Sequence, residues 1–170
     1  LPMMTTLGVT TLISDSGVTR YRVNTEEWMM YDRKKPSYWA FEKGVYMEQF
    51  DSIFNIEASI KADTAYYYDK ERLWKLIGNV DIQNRKGERF NTELLYWNEA
   101  TQKVYSDKFI RIQQPDKIIT GHGFDSNQQM TIYTMHNIEG IFYVDEEVGG
   151  GPPQPETKAL PDSANKDAAK

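Results

Sequence analysis

Apolar and polar residues alternate with a period of two through much of the chain. Val80-Asp81-Ile82-Gln83 alternates cleanly and runs into a polar turn, Asn84-Arg85-Lys86-Gly87. Ile60-Lys61-Ala62-Asp63, Arg89-Phe90-Asn91-Thr92-Glu93-Leu94 and Phe109-Ile110-Arg111-Ile112-Gln113 follow the same pattern. Successive side chains of a strand point to opposite faces, so this spacing predicts half-buried strands. β-branched and aromatic residues fill the segments, and turn-type residues separate them. Thr25 to Tyr31 is the best helix candidate, at one or two turns, but its β-rich surroundings favour a strand there.

The segments repeat. A polar turn at Asp69-Lys70 follows a tyrosine-rich strand, and Trp97-Asn98-Glu99-Ala100 does the same one unit later. A third unit runs through Phe124-Asp125-Ser126-Asn127 to Ile141-Phe142-Tyr143, and an earlier one starts near Tyr21. The period is roughly 28–30 residues, within the range of stacked architectures. One unit cannot bury its own apolar face, so neighbours must stack. Two facing sheets of short strands would enclose one long interior, and an unclosed side would make that interior a groove.

The ends read differently. Residues 1–17 are rich in Thr, Ser and Gly with weak periodicity, as expected of a linker or an irregular first strand. Residues 145–170 hold Gly149-Gly150-Gly151-Pro152-Pro153 and, among large apolar residues, little beyond Leu160. Such a tail cannot offset its ordering entropy and is expected to be disordered. The domain is therefore expected over residues 18–144.

Alternation also assigns an interior. Ile60, Ala62, Leu76, Val80, Ile82, Phe90, Leu94, Val104, Ile110, Ile112, Ile119, Ile132 and Phe142 share the inward face, with register uncertain near Ala65 and Phe109 wherever a bulge intervenes. Asp81 and Arg111 point outward. Small Ala62 leaves room where a larger side chain would block a channel.

Composition narrows the function. The apolar fraction is 39%, enough for a core, and the net charge is −5. Nucleic-acid binding needs a basic footprint, so it is disfavoured. There is no cysteine, which excludes disulfides, thiol catalysis and thiolate metal sites. The longest apolar runs, such as Ile141-Phe142-Tyr143-Val144, are far short of the roughly 20 residues that a spanning helix needs.

Candidate chemistry is sparse. His122, in Gly121-His122-Gly123, and His136 lack the convergent partners of a zinc or catalytic site. They read more simply as strand or turn residues. Asp63, Asp69, Glu71, Asp81 and Glu88 fall in turns or at outward positions, as solvated groups do; the competing reading is an acid–base pair among them. No catalytic motif, metal site or cofactor site is apparent. The aromatics number eleven Tyr, seven Phe and four Trp, with clusters at Tyr66-Tyr67-Tyr68, Tyr96-Trp97 and Tyr38-Trp39 near Phe41. Cross-strand packing accounts for them, and so does an apolar channel with amphipathic rings at its rim.

Several segments carry a resemblance when taken in order. They are Gly44-Val45-Tyr46-Met47-Glu48-Gln49-Phe50, Ile60-Lys61-Ala62-Asp63-Thr64-Ala65-Tyr66-Tyr67 and Gly78-Asn79-Val80-Asp81-Ile82. Phe90-Asn91-Thr92-Glu93-Leu94-Leu95-Tyr96-Trp97 and Ile118-Ile119-Thr120-Gly121-His122-Gly123-Phe124 complete the set. Over Val18 to Val144 the chain resembles the LptC family, the periplasmic bridge of lipopolysaccharide export, in its Bacteroidetes-type members. The resemblance implies an all-β, folded-over β-jellyroll whose open apolar groove carries the acyl chains of lipopolysaccharide without catalysis or a cofactor. It also implies end-to-end docking between an inner-membrane ABC transporter and an LptA-like periplasmic protein. Edges near Tyr21 and Val23 and near Tyr133, Ile138, Ile141 and Tyr143 would serve that docking. The location it implies is the periplasm, with an inner-membrane anchor outside this sequence. A soluble LptA-like shuttle, a structural or glycan-binding β-domain and, least supported by any motif, an enzyme are the competing expectations.

Overall fold

The structure, a computed structural model, describes residues 1–15 and 18–144. Those residues form eleven strands and no helix: β1 (Met4–Asp15), β2 (Val18–Tyr31), β3 (Tyr38–Phe41), β4 (Val45–Phe50), β5 (Ile56–Ala62), β6 (Thr64–Tyr68), β7 (Leu73–Asn84), β8 (Arg89–Asn98), β9 (Lys103–Gln113), β10 (Lys117–Asn127) and β11 (Tyr133–Tyr143). The expected all-β jellyroll is the observed fold. Of the two expectations for residues 1–17, a linker or an irregular first strand, the strand is found: Met4–Asp15 form the twelve-residue β1, with a register shift between Ile13 and Ser14. The tail from residue 145 lies outside the described residues. Thr25 to Tyr31 is strand, as preferred over helix.

Every pairing is antiparallel, and the topology is a meander folded over on itself. β2 pairs β4 through Tyr21–Thr25 and β3 through Met29–Tyr31. β7 pairs β6 through Leu73–Ile77 and β5 through Asp81–Asn84. β3 with β4, and β5 with β6, thus act as two long strands bent in the middle. A crease crosses all of these strands and divides the sheet into two layers. Tyr21 of the first layer meets Trp97 of the second at 5.3 Å between ring centroids, and Phe90 of the first meets Phe124 of the second at 5.7 Å.

Local chemistry fixes the crease. Register slips between Ile77 and Val80 and between Thr92 and Tyr96, as β-bulges do where a sheet bends. Gly78 and Asn79 take left-handed conformations there, with φ of 80° and 46°. A Cβ on Gly78 would meet the Asp63 side chain at 3.1 Å, so both the conformation and the space call for glycine. Asn79 is a residue type that tolerates the left-handed region, and its Nδ2 donates to Asp63 Oδ2 at 2.8 Å. Bulges strand backbone carbonyls, and buried hydroxyls recover two of them. Thr92 Oγ1 donates to the Phe109 carbonyl at 2.8 Å, and Ser106 Oγ to the Leu94 carbonyl at 2.6 Å.

The sequence repeat has a backbone counterpart. Arg72, Gln102 and Met130 all lie at positive φ, at the expected spacing of about 28–30 residues. Successive turns on that rim are bonded alike: Glu99 N–H donates to the Arg72 carbonyl at 3.0 Å and Gln128 N–H to the Gln102 carbonyl at 3.1 Å.

Candidate functional site

Two rows of side chains cross the sheet and face each other inside the fold. Cross-strand register places Val23, Met47, Ile60, Ile82, Phe90, Ile112, Ile119 and Ile141 in one row of the first layer. A parallel row of the second layer runs Met30, Trp39, Tyr67, Trp74, Trp97, Val104, Ser126 and Tyr133. The first row is almost wholly aliphatic and the second is dominated by aromatics. Directly opposed side chains on one face of a sheet pack against each other, which makes each row continuous. Between β2 and β9 the rows are packed together in one core. Toward β10 and β11 they open, leaving Ile119 half-buried and Ile141 exposed.

The expected interior is found in most positions. Ile60, Ala62, Leu76, Val80, Ile82, Phe90, Val104, Ile110 and Ile112 are buried, and Ile119 is half-buried on the inward row. Three positions need correction. Leu94 faces outward, because the bulge between Thr92 and Tyr96 reverses the facing of β8 and puts Leu95 inside. There Leu94 and Phe109 line a cavity of about 900 Å³ behind the crease, with Lys61, Lys108, Arg111 and His122. Ile132 is exposed, since Asn127 Oδ1 accepts the N–H of Thr131 and of Ile132 and the turn sends Met130 inward instead. Phe142 is half-buried on the outer face, paired with Ile118, while its neighbour Ile141 pairs Ile119 on the inward row.

The docking edges also need one correction. Tyr21 and Val23 are buried and flanked by strands on both sides, pairing β1 through Ile13 and Thr11 and β4 through Gln49 and Met47. The free edge at that end is β1. At the other end Tyr133, Ile138, Ile141 and Tyr143 do lie on a terminal strand, β11. Among the described residues β1 and β11 each pair on one side only.

Polar clasps close the mouth opposite the crease. Tyr21 Oη donates to Glu99 Oε1 at 3.0 Å, and Trp74 Nε1 donates to the same oxygen at 2.9 Å. Tyr133 Oη donates to Glu88 Oε2 at 2.6 Å and accepts from Gln114 Nε2 at 2.6 Å. Asn84 Nδ2 donates to the Met130 carbonyl at 2.8 Å. Burial, with Glu99 beside it, pushes the Tyr21 hydroxyl far above its ordinary pKa. Burial also pushes Tyr67 and Tyr133 up to about 12, helped by Glu99 and Glu88 respectively. These phenols stay protonated at neutral pH and act as donors. A cleft of about 500 Å³ lies along the mouth, lined by Arg20, Tyr21, Trp39, Tyr67, Trp97 and Glu99 among others.

The remaining polar candidates are distributed over the surface and rim. Asp81 pairs Arg89 at 3.1 Å, Asp69 accepts from Ser37 Oγ at 2.7 Å, and Glu71 is exposed. Glu88, expected as a solvated group, is buried in the clasp. His122 Nδ1 meets Glu139 at 2.6 Å and His136 pairs Asp125, both across the β10–β11 seam. No group of His, Asp and Glu among the described residues is arranged to hold a metal ion, and those residues hold no helix long and apolar enough to cross a membrane. Sequence reasoning missed Glu99, whose partner Tyr21 is 78 residues away and leaves no local signal.

A protein-family model described as lipopolysaccharide-assembly, LptC-related, matches residues 9–140. No curated protein matches the chain. The matched stretch runs from within β1 to within β11, so it takes in the crease, the clasps and both rows but for Ile141 at the end of the first. The chain belongs to the LptC-related family.

Proposed function

We propose that this LptC-family chain is a non-enzymatic bridge that holds the acyl chains of lipopolysaccharide between the aliphatic and aromatic rows. It receives lipopolysaccharide from an inner-membrane ABC transporter and passes it to an LptA-like protein in the periplasm. The observation that carries this reading is the pair of continuous inward rows, packed near β2 and opening toward the unpaired edge at β11. The rows carry no charged side chain, so acyl chains suit them while a phosphorylated headgroup stays at the mouth. Each buried methylene contributes about 0.8 kcal/mol. Separating the layers breaks clasps of about 1 kcal/mol each, so a few methylenes offset each clasp. Free edges at β1 and β11 support strand-to-strand docking at the two ends, in which a partner adds its own strand.

Photo-reactive residues in cells test this. At Ile112 and Ile141 they are expected to label lipopolysaccharide, whereas at Asp81, Arg111 and outward-facing Leu94 they are not. At Ile138 and Tyr143 they are expected to capture the LptA-like partner. Lipid labelling from the outward set alone makes the interior a packed core and sinks the carrier reading.

A further inference from the structure

The loop joining β4 to β5, together with the first residue of β5, holds three large apolar side chains out in solvent. Ile53 is 74% exposed, Phe54 64% and Ile56 49%. Phe50 continues the patch toward the fold, with its ring 5.9 Å from that of Phe54. Hydrophobic tips of this kind normally belong to flexible segments, but this one is held from within. Asp51 Oδ1 accepts the N–H of Ile53 at 2.9 Å and of Asn55 at 2.8 Å. Phe54 N–H donates to the Asp51 carbonyl at 3.3 Å, and Asp51 N–H to the Asn55 carbonyl at 2.9 Å. Phe54 also sits at φ 64°, where glycine would be easier. A bulky ring kept in a strained position argues for a use of the ring and not of the turn.

Cations surround the tip. The Arg22 guanidinium lies 5.6 Å from the Phe50 ring centroid, and Arg85 reaches Asp51 at 3.5 Å with Lys86 next to it in the same turn. Arg20 lines the mouth beside Phe50 and Ser52. Of the acids nearby, Glu48 is buried against Arg22, Asp51 is taken up by the loop amides and Arg85, and Glu57 is half-buried. An apolar tip, basic side chains around it that outnumber the three nearby acids, and loop N–H groups of Asp51, Ile53, Phe54 and Asn55 already bonded within the loop suit entry into a lipid interface. A protein interface of ordinary size takes about 800 Å² from each partner, far more than one convex loop tip offers.

We infer that the Asp51–Asn55 loop is a lipid-surface contact, inserting Ile53 and Phe54 among the headgroups of an anionic bilayer with Arg20, Arg22, Arg85 and Lys86 above them. This holds whatever fills the interior, and it brings the mouth of the fold to the bilayer surface. The chain has no cysteine, so a single Ile53→Cys variant takes one environment-sensitive fluorophore. The fluorophore is expected to brighten with vesicles of phosphatidylcholine and phosphatidylglycerol, and less with phosphatidylcholine alone. The same label on Lys108→Cys, exposed behind the crease on the side away from the mouth, is expected to stay silent. In flotation, unlabelled Ile53→Ser/Phe54→Ser protein is expected to bind the mixed vesicles about tenfold less than the parent, the effect of losing a large buried side chain. Its thermal unfolding should be unchanged, because both side chains are exposed. Equal flotation of parent and variant overturns the inference. So does a signal at position 53 that rises with protein concentration alone, which would make the tip a contact between copies. The vesicles contain no lipopolysaccharide, so failure here leaves the carrier reading to its own crosslinking test.

Discussion

Ile82 and Ile141 stand on one inward row, each opposite its neighbours in register, yet Ile82 is wholly buried and Ile141 is 46% exposed. The side chain, the face and the row are the same. What differs is the surroundings. β7 has strands on both flanks and an aromatic wall across the interior, whereas β11 has a strand on one flank only. Cross-strand pairing therefore decides which way a side chain points, and the neighbouring elements decide how deep it lies. The packed end supplies stability. The open end retains apolar surface that a ligand or a partner can cover, and exposed apolar patches of this kind mark interaction sites.

The largest effect that tests this contrast comes from equal truncations at the two ends. Ile82→Ala is expected to cost about 2–5 kcal/mol, the range for a fully buried side chain. Ile141→Ala is expected to cost less than about 0.5 kcal/mol, as for a surface substitution. Urea unfolding of both variants measures the difference. Equal losses would mean that β11 is as tightly packed as β7, and the open end would then not exist in solution.

Facing was legible in the sequence wherever two-residue alternation ran unbroken. Val80, Ile82, Ile110 and Ile112 point inward as their spacing predicts. It was lost wherever a bulge added a residue, because a slip of one reverses every later side chain. Leu94 yields its place to Leu95 for that reason, whereas Phe142 yields to Ile141 because β11 carries the odd-numbered Tyr133 and Ile141 inward, opposite in parity to Ile132. Ile132 yields to Met130 through a turn held by Asn127, which alternation cannot foresee. The Gly78-Asn79 pair did mark a bend, and a reading of it as a left-handed corner would have located the crease. β1 was hidden by its own exposure. Leu7 and Leu12 face solvent, so the strand gives no burial pattern, although Thr5, Thr6, Thr10 and Thr11 are β-branched residues suited to a strand. The clasps had no local signal at all, since Tyr133 and Glu88 are 45 residues apart.

The crease offers a test of intermediate size, because there a buried hydroxyl is bonded to a backbone carbonyl that the bulge leaves without a strand partner. Thr92→Val keeps the shape of the side chain and removes the donor to the Phe109 carbonyl. A buried carbonyl left unpaired costs about 1–3 kcal/mol. Loss of that size, with no change in the far-ultraviolet circular dichroism spectrum, is the expected result. A neutral substitution would mean that water reaches the crease, and the bend would then need another explanation.

The smallest effect probes the mouth through Tyr133, the residue that ties the two layers together nearest the open end. Tyr133→Phe removes the hydrogen bond to Glu88 and is expected to cost about 1 kcal/mol at neutral pH. Asn84 still donates to Glu88 in the variant, so the carboxylate is not left alone. The cost should depend on alkalinity with a definite sign. Burial and Glu88 raise the pKa of the folded phenol from 10.0 to about 12. The unfolded chain therefore releases this proton first, and the parent loses stability as pH rises from 10 toward 12. The phenylalanine variant lacks the group and escapes that part of the loss. Tyr67, raised to a similar value, titrates in both proteins and cancels in the difference. The gap in urea midpoint between parent and variant is thus expected to be full below pH 10, to shrink through the window and to level off above about 12. A gap that stays constant across this range would show that Tyr133 is solvated and the clasp open, so that the layers near β11 are held apart without any ligand.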